Sequence, residues 1–428
     1  MLKRTLAVPL ITASALVAPG TASAEWSAPR TVSAPHAAIG SLRVLEGPFA
    51  EYDWRDSLSG DAPVRASAAG PRGEVPAPPA VSGLGRYGAA RVIALSQRQV
   101  SSLPPQRFAV SASFGSITSG FGAPRALAVA PTANSPQLAV APDGTALAAW
   151  IEIHGRRDIV RVAERPAGGR FGRPRTILGR GQSITVAAAI GPGHDLVVLA
   201  VRNHKVVARV HPRHGPWGPV QTLATARGGT FWQLAAAVDA GGHVQVAWLR
   251  DQLGRSGFPR LRAIEAASAG RDRRFGAVQT LTGELAAQAA PVVLGTPGGW
   301  ALGYVSATSP GSATAVARVH LRRNGARFGP AIGVSPPAAG LRDLSLAADG
   351  SSLLAGWLVP TPPSASGRGL AARMPLGGTF GAAEQVTPDE GVSDIGFAPA
   401  PGGTGFTAAW VGRPAGAAGA VVREANGT

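Results

Sequence analysis

From residue 137 to 179 apolar and polar positions alternate in short runs, each cut off by Gly, Pro or Asp. A period of two bounded by turn residues is how half-buried antiparallel strands look in sequence. The first run, Leu138-Ala-Val-Ala141, is made of small residues and ends at Asp143-Gly144, a dipeptide suited to a hairpin turn. A bulkier second run carries Trp150, a third is Ile159-Val-Arg-Val162, and Gly168-Gly169 leads through Phe171-Gly-Arg-Pro174 to a fourth, Thr176-Ile-Leu178. The pattern predicts four strands in meander order.

Three markers repeat this unit along the chain. Aromatic-Gly pairs stand at Phe121, Phe171, Trp217, Phe275, Phe328 and Phe380, in steps of 50, 46, 58, 53 and 52 residues. Hairpin glycines at Gly144, Gly193, Gly242, Gly299, Gly350 and Gly403 step by 49, 49, 57, 51 and 53. The second run ends on Trp150, Ala200, Trp248, Tyr304, Trp357 and Trp410 in turn. Leu42 to Trp54 is a diverged copy of Leu138 to Trp150, and Arg91-Val-Ile-Ala-Leu95 followed by Phe108-Ala-Val110 adds another, giving eight copies. A period near 50 with four strands per unit predicts an all-β fold, a single β-propeller of four-stranded antiparallel blades. Small first strands suit a crowded axis, and the wide Trp, Phe and Leu of the outer strands suit the wedge between blades. A stacked sandwich or a β-solenoid would be the competing uses of the same aromatic stripe.

The last copy, 395–424, has no fourth strand, whereas Trp26-Ser-Ala-Pro29-Arg-Thr-Val32 is a fourth strand with no blade before it. The N-terminal strand is therefore expected to complete the C-terminal blade and seal its sheet edge. Residues 57–90 are rich in Ala, Pro and Gly and do not reveal their strands. Eight blades are preferred if they form an irregular blade, and seven if they are an insertion.

Composition changes the picture in three ways. The 57 Gly and 37 Pro recur at intervals, and with 45% hydrophobic residues the chain reads as folded and turn-rich. Lys3-Arg4, an apolar stretch from Leu6 to Val17 and Ala22-Ser-Ala24 form a leader, so 1–24 is expected to be a signal peptide and 25–428 an exported propeller domain in the cell envelope or medium. No later stretch is long and apolar enough for a transmembrane helix. With no Cys, neither disulfides nor thiolate metal sites can form.

The net charge of +17 is almost all arginine, since Lys205 is the sole lysine beyond residue 24. Such a balance favours an anionic polysaccharide or an envelope protein as partner. A nucleic-acid partner is not expected, because the arginines are scattered, and the chain is expected to be monomeric. His211-Pro-Arg-His214 lies in a turn, and no histidine spacing suits a metal, so no cofactor and no metal are expected. Asp143, Asp239 and Asp349 read as turn formers.

In its blade pattern the chain resembles secreted bacterial β-propeller proteins related to the sialidase-type repeat families, over about residues 26–428. Pro142-Asp-Gly-Thr145 with Trp150 is similar to their Asp-box turn, without the full Ser-x-Asp-x-Gly-x-Thr-Trp spacing. The resemblance implies an arginine trio and a tyrosine nucleophile supported by a glutamate. The tyrosines here are Tyr52, Tyr87 and Tyr304, and Tyr304 stands where other copies have Trp.

In a propeller the loops from second to third strand share one face with the connections between blades. That face is expected to carry Asp56, Glu152, Asp158, Arg202, Arg250, Asp251 and Arg255, with Glu284, Arg342, Asp343, Asp389, Glu390 and Asp394 from the connections. Glu152, Asp158 and Asp251 are the candidate catalytic carboxylates, since glycoside cleavage needs two of them converging. Arg202, Arg250, Arg255, Arg342, Asp343 and Asp394 are the candidate ligand-binding residues, and a solvated, salt-bridged rim is the competing use of them all. The leading expectation is a non-enzymatic propeller that binds a ligand, glycan or protein at its loop face or channel, and the alternative is a carbohydrate-active hydrolase or lyase.

Overall fold

The computed structural model describes residues 26–427 apart from 33–38, 46–50, 57–63, 69–74, 77–80, 88–90, 102–105, 117–119, 156, 227, 254–258, 283–289, 310–311, 362–366, 389–390, 401–402 and 414–419; for 39–87, 92, 253 and 259–261 it describes the backbone alone. The expected leader, Arg255, Glu284, Asp389 and Glu390 lie outside the described residues.

Every strand pairs antiparallel, and the described strands fall into eight sheets, six of four strands and two of five. Sheet one holds Ile39–Leu45, Glu51–Asp56, Val64–Ala68 and Val75–Pro76; sheet two holds Val81–Tyr87, Arg91–Ser101, Arg107–Ser116 and Arg125–Ala130, with Gly120–Phe121 beside the third. Sheets three, four and five are Thr132–Val140, Ala146–His154, Arg157–Arg165, Arg175–Gly181; Ser183–Ile190, Leu196–Arg202, Lys205–His211, Gln221–Thr225; and Gly229–Val238, Val244–Leu253, Pro259–Ala269, Gln279–Thr280. Sheet six is Val292–Thr296, Gly299–Ala307, Thr314–Arg323 and Ile332–Gly333, with Ala338–Ala339 beside its third strand, and sheet seven is Arg342–Ala348, Ser352–Pro360, Gly367–Pro375 and Glu384–Gln385. Sheet eight joins Asp394–Pro399, Phe406–Gly412 and Val421–Gly427 to Arg30–Thr31. The stretch 57–90, opaque in sequence, thus ends sheet one and begins sheet two.

First strands pack side by side in chain order from sheet two through sheet eight, and that of sheet eight packs on that of sheet one. Small residues permit this crowding. The architecture is that of a β-propeller, with hairpins and third-to-fourth loops on one face and second-to-third loops with the inter-sheet connections on the other. Trp26 meets Phe397 edge-on at 6.3 Å, and Arg30 bonds Glu424 where the first strand pairs with the last.

The core lies between sheets. Trp150 packs among Leu95 and Val110 of sheet two, Trp248 among Leu199 and Val201 of sheet four, Tyr304 among Leu249 and Ile264 of sheet five, Trp357 among Val305 and Val319 of sheet six, and Trp410 among Leu354 and Leu358 of sheet seven. Each aromatic therefore fills the wedge behind its own sheet. Burying one contributes on the order of 2–3 kcal/mol.

Polar links span the same wedges. Gln221, four residues after Trp217, accepts from the Phe275 amide and donates to the Arg273 carbonyl; Gln279, four after Phe275, accepts from the Phe328 amide and donates back to its carbonyl. The fourth strand of one sheet thus grips the aromatic-Gly turn of the next. Gln279→Leu is expected to cost about 1–3 kcal/mol, because it strands the buried Phe328 amide. Chemical denaturation checks this, and hydrogen exchange should speed at that amide first. On the hairpin face Asp143 reaches His194 at 2.9 Å, Asp195 reaches Arg273 at 2.8 Å, and Asp349 accepts from the Gly405 amide at 2.9 Å. The hairpin aspartates join neighbouring sheets as well as shaping their turns.

Candidate functional site

The first strands begin on the connection face, and there their registers slip. Bulges interrupt the pairing at Asn134/Gln137, Ser183/Thr185, Trp232/Ala235 and Arg342/Ser345, and the backbones of sheets one and two slip at Ile39/Ser41 and Val81/Gly83. Within three of these bulges a non-glycine residue occupies the left-handed region: Ser135 at φ 51°, Gln233 at 49° and Asp343 at 56°. Such a conformation costs an L-residue roughly 1–2 kcal/mol. A bulge re-aims side chains, and backbone strain concentrates at binding and catalytic sites.

The groups presented there are mixed in a useful way. Trp232 is 41% exposed and Ile184, on the neighbouring first strand, 42%. Asn134, Gln137, Gln233 and Asp343 are exposed beside them along the same strand ends. Arg342 Nε lies 3.3 Å from Asp343 Oδ2, and its Nη2 donates to the Ser393 carbonyl at 3.5 Å, next to Asp394 at the start of sheet eight. The structure brings Arg342, Asp343 and Asp394 to the junction of sheets seven and eight. Burial pushes the Asp343 carboxyl above its ordinary value despite Arg342, although over a third of the side chain reaches solvent.

Several of the other predicted residues make contacts within the sheets. Glu152, 4% exposed, accepts from Trp150 Nε1 at 3.0 Å and Arg161 Nε at 3.2 Å, with His154 at 3.3 Å. In sheet five the charges are exchanged: Trp248 Nε1 and Arg250 Nη1 both donate to Glu265, at 2.8 and 2.9 Å, from the strand positions that Trp150 and Glu152 occupy in sheet three. Asp251 pairs with Arg262 directly across the ladder at 3.1 Å. Asp158 accepts from the Ser183 amide at 2.7 Å and so ties down the connection into sheet four, where Arg202 donates to the Arg180 carbonyl. Asp56 ends the second strand of sheet one. Glu152 and Asp158 belong to sheet three and Asp251 to sheet five. Tyr304, 1% exposed, bonds His320 at 3.1 Å, and burial lifts its phenol to about 12 despite Arg318.

Sequence reasoning missed Trp232, Gln233 and Ser135. Their signal was present: Phe231-Trp232 interrupts the small residues that precede and follow it, unlike the neighbouring first strand of sheet four, and Ser135-Pro136 interrupts an alternating run.

The opposite end of the channel is different. A cavity of about 1230 Å³ is walled there by the ends of first strands and their hairpins, including Ala141, Ala189, Ala237, Leu294 and Pro399. Its charged group, Asp239, is held by His243 at 2.8 Å. Among the described residues no group of three or more His, Asp or Glu is placed to hold a metal, and no helix is long and apolar enough to cross a membrane.

No protein-family model matches the chain, and no curated protein does. Solved structures do. A polysaccharide lyase of family PL25, an ulvan lyase bound to -[GlcA(1-4)Rha3S]-, superposes with a TM-score of 0.53 at 10% identity, over 77% of this chain and 93% of that one. The WD40 domain of SCAP from fission yeast superposes with 0.52 at 8% identity, over 94% and 98%. At such identities the likeness is one of fold.

Proposed function

We propose that this protein is an exported, closed, eight-bladed propeller that binds an anionic glycan at its connection face without cleaving it. The observation that carries this reading is the set of left-handed bulges at Ser135, Gln233 and Asp343 beside the exposed Trp232. Sugars are recognised by a flat apolar surface against their C–H faces together with amides and charges for their hydroxyls and acids. The connection face offers both kinds of group. The cavity at the far end, walled mostly by Ala, Pro and Gly, offers few side-chain partners for hydroxyls beyond Asp239, Thr296 and Asn324. The net charge of +17, with Arg342 at the mouth, favours an anionic chain.

Asp343 supports the second reading, a hydrolase or lyase, because a carboxyl raised at a channel mouth is suited to proton transfer. One experiment separates the two. The protein is incubated with a panel of acidic and neutral polysaccharides, and bound protein and released sugar are assayed in the same tubes. The expected result is retention on an acidic polysaccharide without release, weakened at least roughly ten-fold by Trp232→Ala with little change in thermal midpoint, since the indole is partly in water. Undiminished retention in that variant would remove Trp232 from the site. Sugar release abolished by Asp343→Asn would establish the enzyme instead.

A further inference from the structure

A crevice of about 210 Å³ opens on the hairpin face between sheets five and six, lined by Ser268, Gln279, Arg322, Arg327 and Phe328 among others. No carboxylate lines it. Its principal charge, Arg322, is half-buried and fixed from several sides: Nε donates to the Ala326 carbonyl at 2.6 Å, and Nη1 donates to Gln245 Oε1 and Ser268 Oγ. The anchoring is itself rigid. Gln245 is fully buried and spends its amide nitrogen on the Val246 and Ala267 carbonyls, and the guanidinium lies 5.9 Å from the centre of the Phe328 ring.

Two comparisons set this arginine apart from most of the others. Arg161, Arg250, Arg262, Arg273 and Arg373 each face a carboxylate within 3.4 Å. Arg209 has none, but all three of its nitrogens donate to carbonyls, of Gly218, Ile177 and Trp217. Arg322 has neither a carboxylate nor, among the described residues, an acceptor for Nη2; Arg318, which donates through Nε to Ser306 Oγ, is placed alike but does not line the crevice. Taking a cation partly out of water without a counter-charge is costly, and a guanidinium edge held open is suited to the oxygens of a tetrahedral anion. Arg327, exposed on the rim of the same crevice, adds a second positive charge.

We propose that this crevice is an oxyanion-binding site for sulfate or phosphate, free or as a monoester, with Arg322 as the preorganised donor and Arg327 as the rim charge. It lies on the face opposite the channel mouth and acts independently of it. The test follows the melting of the full chain in sodium sulfate, sodium phosphate and sodium chloride at matched ionic strength, with isothermal titration of each anion. Sulfate or phosphate is expected to raise the midpoint by about 2 °C or more over chloride near saturation. Arg327→Ala, which changes an exposed residue, should weaken binding at least several-fold, Arg322→Gln should abolish it, and Arg98→Ala, an exposed arginine in sheet two, should leave it intact. A midpoint no higher than in chloride, or equal binding by wild type and Arg327→Ala, would overturn the proposal. Should Arg322→Gln fail to fold, Arg327→Ala against Arg98→Ala still decides. A monosaccharide sulfate and a monosaccharide phosphate, titrated in parallel, distinguish an esterified ligand from the free ion.

Discussion

Replacing Trp248 with phenylalanine is expected to cost about 3 kcal/mol more than the same replacement at Trp357. Both indoles are fully buried in second strands, against the preceding sheet. Their N–H groups differ in fate. Trp248 Nε1 donates to Glu265, which also receives Arg250, so its loss removes a hydrogen bond to a buried charge, worth about 1.5–3 kcal/mol. Trp357 stands opposite Leu370 and two residues before Val359, and among the described residues its Nε1 has no partner. Phenylalanine there deletes an orphaned donor that costs about 1–3 kcal/mol to bury, offsetting the packing lost with the larger ring. Scanning calorimetry of the two variants checks the difference. Equal losses would mean that ring volume alone matters in these wedges.

Asp349→Ala is expected to destabilise the protein by roughly 3–5 kcal/mol, among the largest single effects in the molecule. Its carboxylate is almost wholly enclosed, accepts from the amides of Ser351, Ser352 and Gly405, and faces Arg373 at 3.4 Å. Removal leaves donors from two sheets and a cation without their acceptor. Burial pushes the Asp349 carboxyl up, but the hydrogen bonds from Ser351, Gly405 and Ser352 outweigh it and hold the group below its ordinary value. The unfolded chain therefore binds more protons in the acid window. The contribution is complete above about pH 4 and is lost as pH falls through the lower, folded-state value. The wild-type midpoint should fall on acidification below about pH 4, and Asp349→Ala should start lower and fall less steeply. Asp143, lowered in the same direction, keeps part of the slope. A variant that reproduced the full wild-type slope would show that other carboxylates govern acid unfolding.

The repeat was legible in the sequence because the features that space it are local. Asp143-Gly144 turns a hairpin wherever it occurs, with Gly144 at φ 90°, and Trp150, Trp248, Trp357 and Trp410 mark a wedge that only a wide side chain fills. The links between sheets were not legible, since Gln221 and Gln279 act on backbone about fifty residues away. The candidate site was half legible. For Glu152 and Arg250 strand parity gave the direction of the side chain: each stands two residues after a buried tryptophan and so shares its side of the sheet. The bulges escaped because a register slip is set by the partner strand, which the alternation of a single strand does not record.

The pairing of Arg30–Thr31 with Val421–Gly427 joins positions 394 residues apart. Most contacts in the molecule are within one sheet or between neighbouring sheets and can form as soon as the next fifty residues are available. This one can form only after almost the entire chain has been made, and it must overcome the largest loop-closure entropy in the fold. The intermediate sheets are thus free to fold early and locally, while sheet eight, with the edge of Val421–Gly427 unpaired until the N-terminal strand docks, is the last to be completed. The step expected to be slowest in assembly is consequently a search by one short terminal strand, and the edge of Val421–Gly427 is where a second unfinished molecule could insert its own, giving a strand-exchanged dimer.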